Sequence, residues 1–284
     1  MHGDVSDFGY GAITPVAAFL MACLGGALGL RCVARSVHYD EGWKPGWLAM
    51  GATAMGCGIW SMHFIAMVGF GIDGARVGYD VTLTVWSLVV AILVVGVGVF
   101  VVGYRGASRP VLAVAGTFTG LGVAAMHYLG MAAIRFNGEI RYDPFTVALS
   151  VLIAVAAATA ALWAAVSVRG VPYSLAASLV MGVAVTGMHY TGMAAVSAEL
   201  HGAGHLSASG DSPVSLLLPM LVGPAVFLVL AAVVITLDPL LVLGDGEWND
   251  GRRDALGSDG GGHGGRRGGG ADRGGPSPVA VRRR

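Results

Sequence analysis

Seven long apolar runs constrain this chain more than any other feature of it. They cover Ile13–Val33, Trp47–Phe70, Val81–Val102, Val111–Ile134, Phe145–Val168, Val171–Val196 and Val214–Leu237. A helix needs about 20 mostly apolar residues to cross a hydrocarbon core ~30 Å thick, and each run is long enough. A membrane-spanning strand would be roughly half that length and would alternate apolar with polar residues. These runs do not alternate, and in lipid a helix satisfies its own backbone hydrogen bonds. Composition agrees: 55% of the residues are hydrophobic and only 12% charged, against about 25% charged in a soluble domain. The expected fold is all-α, a polytopic membrane protein of seven transmembrane helices. Net charge is zero, so nothing in the bulk electrostatics calls for nucleic acid.

The charges sort by connection. One set of short connections carries Arg31, Arg35, Lys44, Arg105, Arg109 and Arg169; the other carries Arg76, Arg135 and Arg141. The second side also collects Asp4, Asp7, Asp73, Asp80, Glu139, Asp143, Glu199 and Asp211. Positive residues mark the cytoplasmic face, so the expectation is a multi-pass protein of the cytoplasmic membrane with its N-terminus outside and its C-terminus in the cytoplasm. Residues 1–12 form a short extracytoplasmic segment with no positive n-region, and so no secretory signal. Residues 13–243 form the membrane domain. Residues 244–284 hold 14 Gly and eight Arg and read as a disordered cytoplasmic tail. Cys23, Cys32 and Cys57 form no CxxC pair and read as small buried hydrophobes.

One hexapeptide pattern occurs three times. It reads Met62-His63-Phe64-Ile65-Ala66-Met67, then Met126-His127-Tyr128-Leu129-Gly130-Met131, then Met188-His189-Tyr190-Thr191-Gly192-Met193. The histidines fall in the second, fourth and sixth runs, one helical hairpin apart. Gly56, Gly120 and Gly182 each lie seven residues upstream of a histidine. The domain therefore reads as three parallel helical-hairpin repeats plus one helix. Repeats of one orientation are related by an axis along the membrane normal, which sets the three histidines at one depth. Counting from the ends of the runs puts them ~10–14 Å below the outer surface.

Residues four apart share a helix face. His63 therefore pairs with Met67, His127 with Met131 and His189 with Met193, while Met62, Met126 and Met188 point to a flank. The glycines seven residues upstream fall on the histidine face and let another helix approach. Single methionines and histidines in apolar helices usually serve packing, but three histidines at one depth with the same neighbours imply a shared site, because burying ionisable groups in a bilayer is costly. Thioethers are soft donors that select copper, above all Cu(I), and imidazole suits copper, zinc and iron. No carboxylate lies in the motif, which argues against magnesium, calcium and manganese. One or two ions satisfy the donor count. Haem is the less favoured cofactor, because glycines on the same face close the helices together. His201 and His205 read as solvated loop residues, and Asp238 as interfacial. No P-loop or nucleophile elbow is present.

The motif, written literally at Met188-His189-Tyr190-Thr191 and recurring in the second, fourth and sixth of seven spans, resembles the MHYT domain, a bacterial membrane sensor domain. The resemblance covers about residues 10 to 240. It implies a copper site near the outer face, formed by His63, His127, His189 and their flanking methionines, and sensing of oxygen, carbon monoxide or nitric oxide. Phe64 and Ala66 depart from the pattern; they remove a hydroxyl but keep the donors. Family members often carry a cytoplasmic domain that makes or degrades cyclic di-GMP. The 41 residues from Gly244 are fewer than the ~50 of a small domain, so the expectation is no enzyme activity and an output through a partner protein. Two other functions fit the same residues: copper storage or delivery at the outer face, and a transporter or channel with a histidine relay.

Overall fold

The computed structural model describes residues 2–3, 5–6, 9–38, 43–73, 75–168, 170–200 and 213–238. The expected tail, His201, His205, Asp4, Asp7, Asp211 and Arg169 lie outside the described residues. Among the described residues there are seven helices: α1 (Ile13–His38), α2 (Lys44–Val68), α3 (Val81–Arg105), α4 (Arg109–Ala132), α5 (Pro144–Ser167), α6 (Val171–Met193) and α7 (Pro213–Leu237). All seven are long and apolar enough to cross a membrane. The protein is a multi-pass, all-helical membrane protein.

Helix starts follow local sequence. The second helix of each hairpin opens on a proline at its first or second position: Pro45 in α2, Pro110 in α4 and Pro172 in α6. Proline costs nothing there, since the first amides have no intrahelical acceptor. Asp80 and Asp143 cap α3 and α5, accepting from the amides of Leu83 (3.0 Å) and Thr146 (2.8 Å). α7 continues through Pro219 and Pro224.

Short strands that the apolar pattern does not predict lie before α1 and between the helices: β1 (His2–Gly3), β2 (Val5–Ser6), β3 (Gly71–Ile72), β4 (Gly78–Tyr79), β5 (Ile134–Arg135), β6 (Gly138–Tyr142) and β7 (Val196–Leu200). Their pairing follows the repeat. β2 pairs with β3 around α1–α2, β4 with β5 around α3–α4, and β6 with β7 around α5–α6. Each hairpin is thus closed at one end by an antiparallel ladder joining the residues before its first helix to those after its second. β1 also pairs with β7, joining the N-terminal segment to the third repeat.

The six repeat helices close a ring. Neighbours in sequence pack together, and α6 returns to α1; α7 lies outside, on α2 and α1. The upstream glycines sit at these seams. A Cβ on Gly56 would strike Ile92 of α3, one on Gly120 would strike Val155 of α5, and one on Gly182 would strike Cys23 of α1. These glycines therefore admit the first helix of the next repeat; they do not face the axis. α1 runs on to His38, so Arg31 and Arg35 belong to a helix and not to a loop. Arg35 donates to Asp238 at 3.2 Å, with both side chains largely buried. Asp238 is thus half of an ion pair tying the end of α1 to the residue after α7. Cys23, Cys32 and Cys57 are buried free thiols.

Candidate metal centre

The ring turns one face each of α2, α4 and α6 inward, and those faces carry His63, His127 and His189. All three are only 1% exposed. Their Nδ1 atoms form a triangle: 3.0 Å from His63 to His189, 3.2 Å from His127 to His63, and 3.3 Å from His189 to His127. The rings stand nearly perpendicular to one another, at 77°, 78° and 85°. The centre of such a triangle is about 1.8 Å from each nitrogen, on the scale of a metal–imidazole bond of ~2.0 Å. Among the described residues, this is the cluster of histidines able to hold an ion.

The opposite ring nitrogens explain which side of each imidazole faces inward. A Cβ on Gly130 would strike Nε2 of His63, and one on Gly192 would strike Nε2 of His127. Each of these rings thus lies across the next histidine helix, fitted against a glycine three residues beyond that helix's own histidine. The motif displays these glycines, but sequence spacing assigned close approach to the upstream set. Nε2 of His63 and of His127 is buried without a hydrogen-bond partner. Without hydrogen-bond acceptors at Nε2, the polar chemistry of these two rings is concentrated on the Nδ1 triangle. Three neutral imidazoles at this spacing cannot all satisfy Nδ1 by bonding one another, since each nitrogen is either donor or acceptor. A cation at the centre would satisfy all three, so the residues fit a metal.

The motif methionines are buried on the same helices. Met62, Met67, Met126 and Met131 are fully enclosed, and Met188 and Met193 nearly so. The residue after each histidine stacks edge-on against it: Phe64 on His63 at 4.7 Å, Tyr128 on His127 at 4.8 Å and Tyr190 on His189 at 4.9 Å between centroids. Tyr128 shares a hydrogen bond of 2.7 Å with Ser150 of α5. Facing the first repeat, the serine at the matching point of α3 is Ser87, and it accepts from Nε1 of Trp60 at 2.9 Å. Trp60 supplies the donor that Phe64 lacks; nothing in the motif itself signals this.

The histidines lie nearer the helix ends than the sequence suggests. His63 and His127 are five residues, and His189 four, from the last residue of α2, α4 and α6. At 1.5 Å per residue that is ~6–8 Å. The difference arises because the helices stop before the apolar runs do: Gly69 and Phe70 follow α2 outside any helix, and Ile134 and Val196 open β5 and β7.

Known proteins share this arrangement in part. The MHYT profile, described as a bacterial signalling protein N terminal repeat, matches residues 56–115 and 120–178. Those stretches begin at Gly56 and Gly120 and contain His63 and His127; His189 lies beyond both and joins them through the fold. The bifunctional diguanylate cyclase/cyclic di-GMP phosphodiesterase MucR of Pseudomonas aeruginosa is 45% identical over 159 residues, 54% of this chain and 23% of that protein. The cyclic di-GMP phosphodiesterase NbdA of the same organism is 39% identical over 207 residues, 69% of this chain and 26% of that protein. The signaling protein YkoW of Bacillus subtilis is 34% identical over 193 residues, 63% of this chain and 23% of that protein. The chain therefore matches about a quarter of the length of these curated relatives. What it shares with the enzymes among them is the membrane repeat, which is not their catalytic part. No solved structure matches it. With the repeat matched twice and its histidines gathered at one point, the chain carries the MHYT repeat, the N-terminal repeat of bacterial signalling proteins.

Proposed function

We propose that His63, His127 and His189 hold a copper ion, and that the protein is a membrane-embedded sensor module that passes its state to an output protein or domain. The observation that carries this reading is the convergence of three buried Nδ1 atoms on one point. The donor set favours copper. Met62, Met67, Met126, Met131, Met188 and Met193 surround the histidines in sequence and are buried with them, and soft thioethers beside imidazoles suit Cu(I). The single nitrogen triangle supports one ion there. Three protein donors leave a further coordination position for an incoming ligand. Oxygen, carbon monoxide and nitric oxide are the ligands suggested by the family resemblance. Relatives named for cyclic di-GMP synthesis and breakdown support an output in that signalling chemistry, fused or separate.

In this reading the strand-capped end faces outward, the N-terminus is outside, and residues 244–284 lie in the cytoplasm of a bacterium. The segregation of arginines from carboxylates supports this orientation. The enclosure of all three imidazoles favours a sealed centre over a histidine relay for transport. Copper storage or delivery uses the same centre without a signal; coupling to cyclic di-GMP turnover separates the two.

The test is copper content of the purified protein. Replacing any one of His63, His127 or His189 with Ala should remove most of the bound copper, and replacing a second should add little, because members of one site are not additive. Undiminished copper in the triple variant would overturn the shared centre.

A further inference from the structure

One turn from the three histidines, on the side away from the strand-capped end, the packed ring leaves a void. Ile59, Val123 and Val185 each lie four residues before a motif histidine, and all three line a cavity of about 40 Å³. Met188, beside His189, lines it as well. The far wall is α5, which contributes a run of alanines including Ala154 and Ala158. At those positions α5 has only methyl groups to offer, whereas α3 brings Val95 to the same cavity. The void therefore leans toward α5.

The lining is almost wholly apolar. Its one hydroxyl, on Thr119, donates to the carbonyl of Val94 at 3.4 Å. A cavity needs roughly 10–15 Å³ of this kind of volume to admit one water, and water needs two to four polar partners. This cavity has the room and lacks the partners, so it disfavours water and ions. The cavity is also partly open, and its α5 wall belongs to a helix whose outer face is apolar: Leu149 and Leu152 are exposed there. Apolar solutes concentrate in hydrocarbon because water excludes them.

We infer that this cavity is a holding site for a small, neutral, apolar molecule of diatomic size, taken up from the bilayer past α5 and kept one helical turn from the three imidazoles. The inference rests on the metal-centre reading for its biological role, not for its existence. An occupant there would meet Ile59, Val123, Val185 and Met188, the residues that support the histidine turns. It would select neutral apolar ligands over hydrated or charged ones before any reached the imidazoles.

Xenon is the probe, since dry apolar cavities of comparable kind bind it. The full chain in lipid nanodiscs, with and without copper, should show a saturable xenon-129 resonance above the partitioning of xenon into lipid. Ala158→Phe should abolish it, and Leu152→Phe, at a lipid-facing position, should leave it intact. Should the Phe variant fail to fold, Ala158→Ile provides a smaller plug, with the melting curve as the folding check. Absence of a saturable site in the wild-type protein, or a site indifferent to both plugs, overturns the inference whatever the copper content. Xenon bound by a protein that retains no copper sustains the cavity and defeats the metal reading instead.

Discussion

At the scale of single residues, the decisive contacts are those between each imidazole and the helix it crosses. His63 and His127 present Nδ1 to the axis because Nε2 is fitted against Gly130 and Gly192, where no side chain stands. Adding one methyl group at either glycine must turn or push the ring. Gly130→Ala should therefore lower copper affinity by roughly 10–100-fold, the range for altering groups that orient a metal-ligating histidine. The measurement is competition with a Cu(I) chelator; unchanged affinity would remove the glycine from the account. The histidines and methionines were legible as a repeated pattern. Which ring nitrogen faces the axis was not, because it depends on the neighbour's backbone and not on the spacing along one helix. Nor was the substitution of Trp60 for the missing hydroxyl at Phe64, since Trp60 and Ser87 meet only across the α2–α3 seam.

At the scale of elements, the helices were read from hydropathy while the strands were not. Two-residue strands such as β3 and β4 carry no alternation of their own and exist because a partner segment lies opposite. α2, α4 and α6 stop short of the ends of their apolar runs, where the chain turns into β3, β5 and β7, and that is why the histidines sit closer to the helix ends than expected. The helix starts have a testable pH dependence. The amide of Leu83 and the guanidinium of Arg135 hold the Asp80 carboxyl below its ordinary value, and the hydroxyl and amide of Thr146 do the same for Asp143. An unfolded Asp titrates near pH ~3.9. The contribution of these caps is thus complete above that pH and is lost as pH falls through the lower folded values. Melting temperature should drop below about pH 4, and drop less in the Asp80→Asn, Asp143→Asn double variant, because Asn caps comparably and does not titrate. Identical acid profiles for the two proteins would place the acid sensitivity elsewhere.

At the scale of the whole molecule, the ring of three repeats leaves little room at its centre for a flat macrocycle: the donor nitrogens of all three histidines lie within 4.8 Å of one another. The purified protein should accordingly show copper by elemental analysis and no haem-like Soret absorption. A strong, stoichiometric Soret band lost in His127→Ala would replace copper by haem and keep the histidines as ligands. Orientation is checked by labelling. In a background without native cysteines, a cysteine inserted after Gly210 should react with an impermeant thiol reagent added outside, and one at Ser258 should not. The reverse pattern would invert the proposed topology. By itself the sequence determined the number of spans, the threefold repeat and the three histidines that meet at the axis, because these follow from run length and local spacing, which a single helix expresses alone. The tertiary structure decided the helix ends, the role of each glycine, the inward nitrogen of each imidazole and the void beside α5. Those depend on how separate helices approach one another, and distance between segments remote in the chain is not written in either one.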